Sequence, residues 1–531
     1  MSESITVRIA PKYLGQWDAN TAYVKLDVVV YDVDKNTYIC KQNAPAGTLP
    51  TNTDYFELYI DNSEQTSINQ RLTNVESDVN TLKNTKIYEF GVRIYQGQAS
   101  SSLTRLGDAA FLTANASKNG AAVTNDFDAL PIFSEIKRTK RNKTTHALIA
   151  VKGDADYDLV TGEEMLDFPD TYWKFEEAED HSYFDMWVCN VPMSGYTKVN
   201  KFSVGAYPLS VDENGNIQTK AGYPAEGWKG LTTWRSAVDT AYGEGACLMD
   251  WRYDLITALY LIEFADYNSQ AKLGQGHCSH RNSRTNDVLL VAEEDVNRVI
   301  VSTTTASKFD VGEYIQCGTS DGGAQVFKNR KITAKANYSS GGVTGVAITV
   351  NGDAFTTSTS AALQTQAQEC GDTNGVQASS GCMADDGKHG VMYRGFERNS
   401  IFDWIDGRTI KNGAIYECTD PTEYVSDKVT SPYEQVGYSV PSSSGNGYAT
   451  KLGFDKNHPF CRMTEEAGGS GSGSSSYVTD YAYWNSNGTF ACRVGGTPVT
   501  GASDGFFYWI LNAGSSAATW FCGARVLMYQ I

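Results

Sequence analysis

Period-two alternation interrupted by glycine narrows most sharply what this chain can become. RVIVSTTTASKFDVGEYIQCGTS (298–320) and NRKITAKANYSSGGVTGVAITVNGDAF (329–355) alternate apolar and polar residues between Gly-rich turns. Neither shows a helical period, so strands with one wet and one dry face are expected. The flanking sequence has a different texture, rich in Trp and Gly, and resumes it afterwards. Residues 279–385 therefore read as an all-β subdomain inserted into a larger one.

At 531 residues the chain exceeds one ordinary core and calls for several domains. Residues 1–62 read as a small β module, with strands around Tyr23 to Tyr31 and Tyr38 to Gln42 and few apolar side chains for a core. Next, Ile68, Leu72, Val75, Val79 and Leu82 fall at alternating steps of four and three. That is a heptad seam, and a short coiled coil over 63–86 is expected, with three strands as the preferred count. Two helices are expected further on, in LTTWRSAVDTAY (231–242) and DWRYDLITALYLIEFAD (250–266), the second N-capped by Asp250 and burying Leu255, Ile256, Leu259, Ile262 and Phe264. The fold class expected is multidomain α+β, its large domain split into 87–278 and 386–531.

Charge limits the partners. With 44 basic against 62 acidic residues the chain carries −18, which disfavours nucleic acid and anionic membranes. The basic run Lys137–Lys143 reads as a solvated loop. No apolar run is long enough to cross a bilayer, and Met1 to Pro11 has neither the basic nor the apolar part of a secretory leader, so no membrane insertion is expected. Eleven scattered cysteines, an odd count, argue against a disulfide framework and for synthesis in a reducing cytoplasm.

Motifs for catalysis are sparse. GHCSH (276–280) brings His277, Cys278 and His280 together, but a zinc site needs a second, distant ligand pair; a polar turn is the better reading. No P-loop occurs, and neither GxSxG nor GxGxxG occurs in a strand-to-helix context. YWNSN (483–487) lacks the Asp of a calcium-type sugar motif. Neither catalytic residues, metal nor cofactor is expected.

The C-terminal segment poses the functional question. In FFYWILN (506–512), alternation puts Phe507, Trp509 and Leu511 on one face and Tyr508, Ile510 and Asn512 on the other. FACRVGGTPVTGASDGFFYWILNAGSSAATWFCGAR resembles the variable segment of the C-type-lectin-like receptor-binding proteins of phages, a group that includes targets of diversity-generating retroelements and is distantly related to formylglycine-generating enzymes. Gly495-Gly496, Gly501, Gly505 and Gly523-Ala524-Arg525 carry the likeness. TRLGDA (104–109), NDFDALPIFSEIKR (125–138), MWVCNVPMSGY (186–196), LYLIEFADYNSQAKLGQG (259–276) and YRGFERNSIFDWIDG (393–407) resemble the body of the same fold.

The resemblance implies that the first face is core and the second a contact surface. Its diversified positions match Val499, Thr500, Ser503, Ile510, Asn512, Ala513, Ala517, Thr519, Trp520 and Phe521, with Tyr508 added by alternation. Adenine editing of an AAC codon reaches most of these residue types but not Trp520. GQWDANTAYVKLDVVVY, with NTYICKQNAPAGTLP, is similar to chitin-binding-like carbohydrate modules of phage fibres, although Tyr55-Phe56 replaces the usual closing Trp. In that module Trp17, Tyr23, Tyr31 and Tyr38 are either glycan-stacking residues or simply its core. Together the resemblances imply a virion adhesin or tail fibre that binds a host cell-surface receptor, a glycan or a protein, and contacts other virion proteins; the heptad seam adds the expectation of a homotrimer. The alternatives are a structural head fibre or decoration protein, and a polysaccharide depolymerase.

Overall fold

The structure is a computed structural model describing residues 10–62, 67–68, 70–74, 86–98, 103–118, 121, 123–274, 287–319, 325–375, 381–383, 390–398, 401–469, 478–498, 500 and 503–531. It divides into two units, Met1–Lys86 and Ile87–Ile531.

In the first unit four strands, Lys12–Gln16, Asp27–Val30, Thr37–Cys40 and Phe56–Ile60, lie side by side in chain order. The first pair is parallel and the others antiparallel. With so few aliphatic side chains available, aromatic rings make the interior. Tyr23 is 3% exposed and Tyr38 9%, packed with Val29, Cys40, Ala44 and Phe56. Both phenols are anchored, Tyr23 to the backbone N–H of Asp18 at 2.7 Å and Tyr38 to Asp34 at 2.6 Å. The core reading therefore holds for Tyr23 and Tyr38, whose ring faces are not open for stacking on a glycan. Trp17 and Tyr31 meet edge to face at 5.6 Å and are half-buried against the same cluster.

Residues 67–68 and 70–74 are helical, and Ile68 and Leu72 face solvent. Val75, Val79 and Leu82 lie outside the described residues, and no coiled coil is shown among those described.

The second unit is built from several sheets, which makes the protein mainly β rather than α+β. A six-stranded sheet runs in the order Ala246–Leu248, Val526–Met528, Phe202–Gly205, Glu163–Phe168, Lys137–Arg141, Leu148–Val151. The basic run is thus a strand and not a loop. Arg138 and Arg141 lie on opposite faces of it and both are buried: Arg141 pairs with Asp167 at 2.6 Å and Arg138 donates to the Tyr207 hydroxyl at 2.7 Å. Val526–Met528 is held between two strands far away in sequence. The fully buried Arg525 guanidinium fastens it, with Nη1 donating to the carbonyl of Gly205, 320 residues earlier, and Nε lying 3.1 Å from Asp403.

Both expected helices form, over Leu231–Tyr242 and Arg252–Phe264. The N-cap of the second is Trp251 and not Asp250, which stands one residue earlier and accepts the Arg252 N–H at 3.0 Å. The second helix is buried on every side from Tyr253 to Phe264, not along one stripe, because sheets cover it all round. Cys40, Cys189, Cys247, Cys317, Cys370, Cys418, Cys461, Cys492 and Cys522 are all buried.

The alternating segment forms a five-stranded antiparallel sheet, Arg298–Val301, Val343–Val350, Gln325–Ser340, Tyr314–Gly318 and Ala362–Thr365 in spatial order. It encloses its own core around Val301, Phe309, Ile315 and Ile348. Beyond it, Ala367 and Cys370 already belong to the main core. At this return the buried Glu397 carboxylate accepts the N–H groups of Gly371 at 2.7 Å and Thr373 at 3.2 Å. Burial and the nearby Asp372 charge push its pKa up to about 7, from 4.5. Between those values the folded chain holds a proton that the unfolded chain has lost, so stability falls as pH rises through this window. Glu397→Gln should flatten the slope of stability between pH 5 and 8, a span worth about 3 kcal/mol at most, as read by urea unfolding at each pH. An unchanged slope would show that Glu397 is not the group responsible.

Candidate functional site

The C-terminal residues enter a nine-stranded sheet. Trp509–Ala513 is an interior strand, antiparallel to Thr489–Val494 on one side and parallel to Tyr481–Trp484 on the other. Register decides which side chains become neighbours: Ile510 lies opposite Arg493 across one edge and Tyr483 across the other. Since residues directly opposite share a face, Tyr483, Ile510 and Arg493 form a row. The other face carries Trp509 and Leu511 into the main core with Ala482, Trp484 and Val494. The alternation read from FFYWILN thus has the expected phase.

Glycines and a buried carboxylate set the strand's entrance. A side chain at Gly505 would meet the Asp480 carboxylate at 2.0 Å, and one at Gly496 would meet that of Asp504 at 1.8 Å, so neither position has room for a Cβ. Asp480 accepts the Phe507 N–H at 2.8 Å, and its burial raises its pKa well above the usual carboxylate range.

Over the second face lies an open depression of about 560 Å³. Its rim and walls include Thr497, Thr500, Ser503 and Asn512, while Tyr508 and Ile510 form part of the floor with Phe402, Tyr481, Tyr483, Phe521 and Arg493. Rings meet edge to face: Phe402 with Tyr508 at 5.3 Å and with Phe521 at 5.8 Å, and Tyr481 with Tyr483 at 5.2 Å. Burial, and next the neighbouring Tyr483, raise the Tyr508 phenol's pKa, which keeps it a neutral donor.

Six of the sequence-derived positions, Thr500, Ser503, Tyr508, Ile510, Asn512 and Phe521, come together here. They are not all exposed, as the contact-surface reading expected. Tyr508 is only 4% and Ile510 7% accessible, because the rings of Phe402, Tyr481 and Tyr483, from other strands of the same sheet, pack against them. Four positions do not line the depression. Trp520 is buried, Ala513 and Ala517 are half-buried at cluster margins, and Thr519 is tied down by its hydroxyl, 3.1 Å from Cys522 Sγ, and by its carbonyl, which accepts the Trp228 N–H. Val499 lies outside the described residues, as do His277, Cys278 and His280.

Sequence reasoning missed Phe402, Tyr481, Tyr483, Arg493 and Thr497. Two signals were present: Tyr481 and Tyr483 repeat at the strand period, and Arg493 is a lone charge in the apolar run FACRV. Among the described residues no helix is long and apolar enough to cross a membrane. No protein family matches the chain, and comparison with curated proteins finds no relative.

Proposed function

We propose that the chain is a recognition protein, a virion adhesin whose depression on the nine-stranded sheet holds a group displayed by a host-cell receptor. One observation carries this reading: six positions singled out from sequence converge on a single concave surface in which aromatic rings alternate with hydroxyl and amide groups. Its volume lies within the range of small-ligand sites, roughly 300–1,000 Å³. Rigid rings bury contact area at little entropic cost, and the short polar side chains supply directional hydrogen bonds. The lining has no Asp or Glu among the described residues. Glycoside cleavage by the usual route uses two carboxylates, so the arrangement favours holding a ligand over cutting it. A C-type-lectin-like body and a trimer joined through residues 63–86 belong to the same proposal.

Thr500→Trp tests it. Thr500 is half-buried at the rim, so an indole there fills the mouth while the floor stays packed. Adsorption of the purified protein to host cells should fall at least about tenfold, with the melting temperature kept within a few degrees, as for a central contact in a hot spot. Undiminished adsorption by the folded variant would place the receptor contacts elsewhere.

A further inference from the structure

Arg493 is the anomaly of the depression. It lies on its floor, only 5% accessible, yet among the described residues no carboxylate pairs with it. Most other arginines buried in this unit have such a partner: Arg408 has Asp254 and Glu417, Arg525 has Asp403, and Arg394 has Glu263. Arg493 instead donates through Nη1 to the thiol of Cys522 at 2.6 Å, and its Nε is sealed from water with no acceptor. Its guanidinium sits over three rings, Trp404 at 5.0 Å, Phe402 at 5.6 Å and Phe521 at 5.7 Å. Ring faces offset part of the charge but accept no directional bond in the plane of the fork. A buried cation with an unmet donor is costly unless something supplies an acceptor.

Resting on the recognition reading above, we propose that the ligand held in this depression is a saccharide bearing a carboxylate, and that Arg493 binds the carboxylate. A guanidinium suits a carboxylate, and with Nη1 held by Cys522 and Nε sealed, Nη2 is the nitrogen left to meet it. The remaining lining suits the rest of such a molecule. A pyranose has an apolar C–H face to lay on Tyr481, Tyr483 or Phe521, and hydroxyls at its edge to meet Thr500, Ser503 and Asn512. An acidic peptide shares the charge but not this alternation of flat apolar and hydroxylated surfaces. With −18 on the whole chain, long-range attraction does not draw an anion in. Selection then rests on the single buried guanidinium at short range.

The experiment pairs three acids, glucuronate, galacturonate and N-acetylneuraminate, with their neutral methyl esters, and measures binding by saturation-transfer NMR with competition. At least one acid should bind about tenfold or more tightly than its ester, the difference expected for one charge-assisted contact. In Arg493→Gln that acid should fall to the level of its ester while the ester is unchanged, and Arg493→Lys should recover part of the loss. A purely structural Arg493 would shift the melting temperature and leave the acid-to-ester ratio untouched. If Arg493→Gln fails to fold, Thr500→Trp takes its place and should abolish binding of the acid. The proposal is overturned if no acid exceeds its ester, if the ratio survives Arg493→Gln or acid binding survives Thr500→Trp, or if an acidic peptide binds where all three sugars fail. Should Thr500→Trp abolish cell adsorption while acids and esters bind alike, only the carboxylate inference falls. Should adsorption survive Thr500→Trp, the recognition reading itself falls.

Discussion

Trp509→Ala should cost about 3–5 kcal/mol and bring the protein near unfolding at 37 °C, whereas Asn512→Ala, three residues on, should leave stability within about 0.5 kcal/mol. The Trp509 ring is 2% exposed, edge-on to Tyr253 at 6.1 Å and below the Arg408 guanidinium. Its removal would leave a void between the sheet and the central helix that neither rigid element can close. Asn512 sits half-buried on the wall of the depression. Tyr508→Ala belongs with Trp509→Ala, because Tyr508 is also buried and braces Phe402. The two faces of this strand therefore differ in what they touch, not in whether they contribute to stability. Guanidinium unfolding of the three variants checks the ranking. A Tyr508→Ala midpoint equal to that of the parent would mean that the aromatic cluster on this face stabilises nothing.

Arg408→Ala should be as damaging, by about 3–5 kcal/mol at pH 7, because it strands two buried acids. Arg408 is fully buried. Its Nη1 lies 2.7 Å from Asp254 Oδ2, close enough for charge pairing but poorly aligned for a hydrogen bond, and its Nε and Nη2 both approach Glu417 Oε1 at 2.8 Å. Glu417 is also 3.1 Å from His458. Burial pushes the Glu417 pKa up, but Arg408 and His458 outweigh it and the net direction is down. For Asp254 burial wins and the pKa is raised. Without Arg408 both carboxyls would titrate higher, so the folded variant would bind protons that the unfolded chain releases. The penalty should accordingly shrink as pH falls from 7 to 4. Denaturant midpoints of parent and variant across that range give the answer. A penalty independent of pH would assign the loss to packing alone.

What was legible in the sequence was local. Period-two alternation in 298–355 and 506–512 gave the strands and their phase, and composition around 231–242 and 252–264 gave both helices. What was not legible depended on register between distant segments. Arg493 and Tyr483 reach Ile510 only because two strands from elsewhere in the chain pair with 509–513. For the same reason Tyr508 and Ile510 read as surface: alternation says which face a side chain takes, not how closely rings on other strands pack against it. Lys137–Arg141 was misread because a run of charge looks solvated until Asp167 appears beside it. Residues 254–264 show where an amphipathic reading fails, since a helix enclosed on all sides leaves no polar stripe.

The strand Val526–Met528 bears on the order of events in time. Until it arrives, Phe202–Gly205 and Ala246–Leu248 each present an unpaired edge made of residues that are all buried in the finished fold. Such edges recruit other chains, and contacts this distant form slowly. A nascent chain would stay vulnerable to aggregation until Val526–Met528 had left the ribosome, and yield should improve at low temperature or with chaperones that shield open edges. The depression lies on the other, nine-stranded sheet and uses residues only up to Phe521. Ligand binding therefore reports that sheet alone, and a chain that binds but still aggregates would be one in which Val526–Met528 has yet to pair.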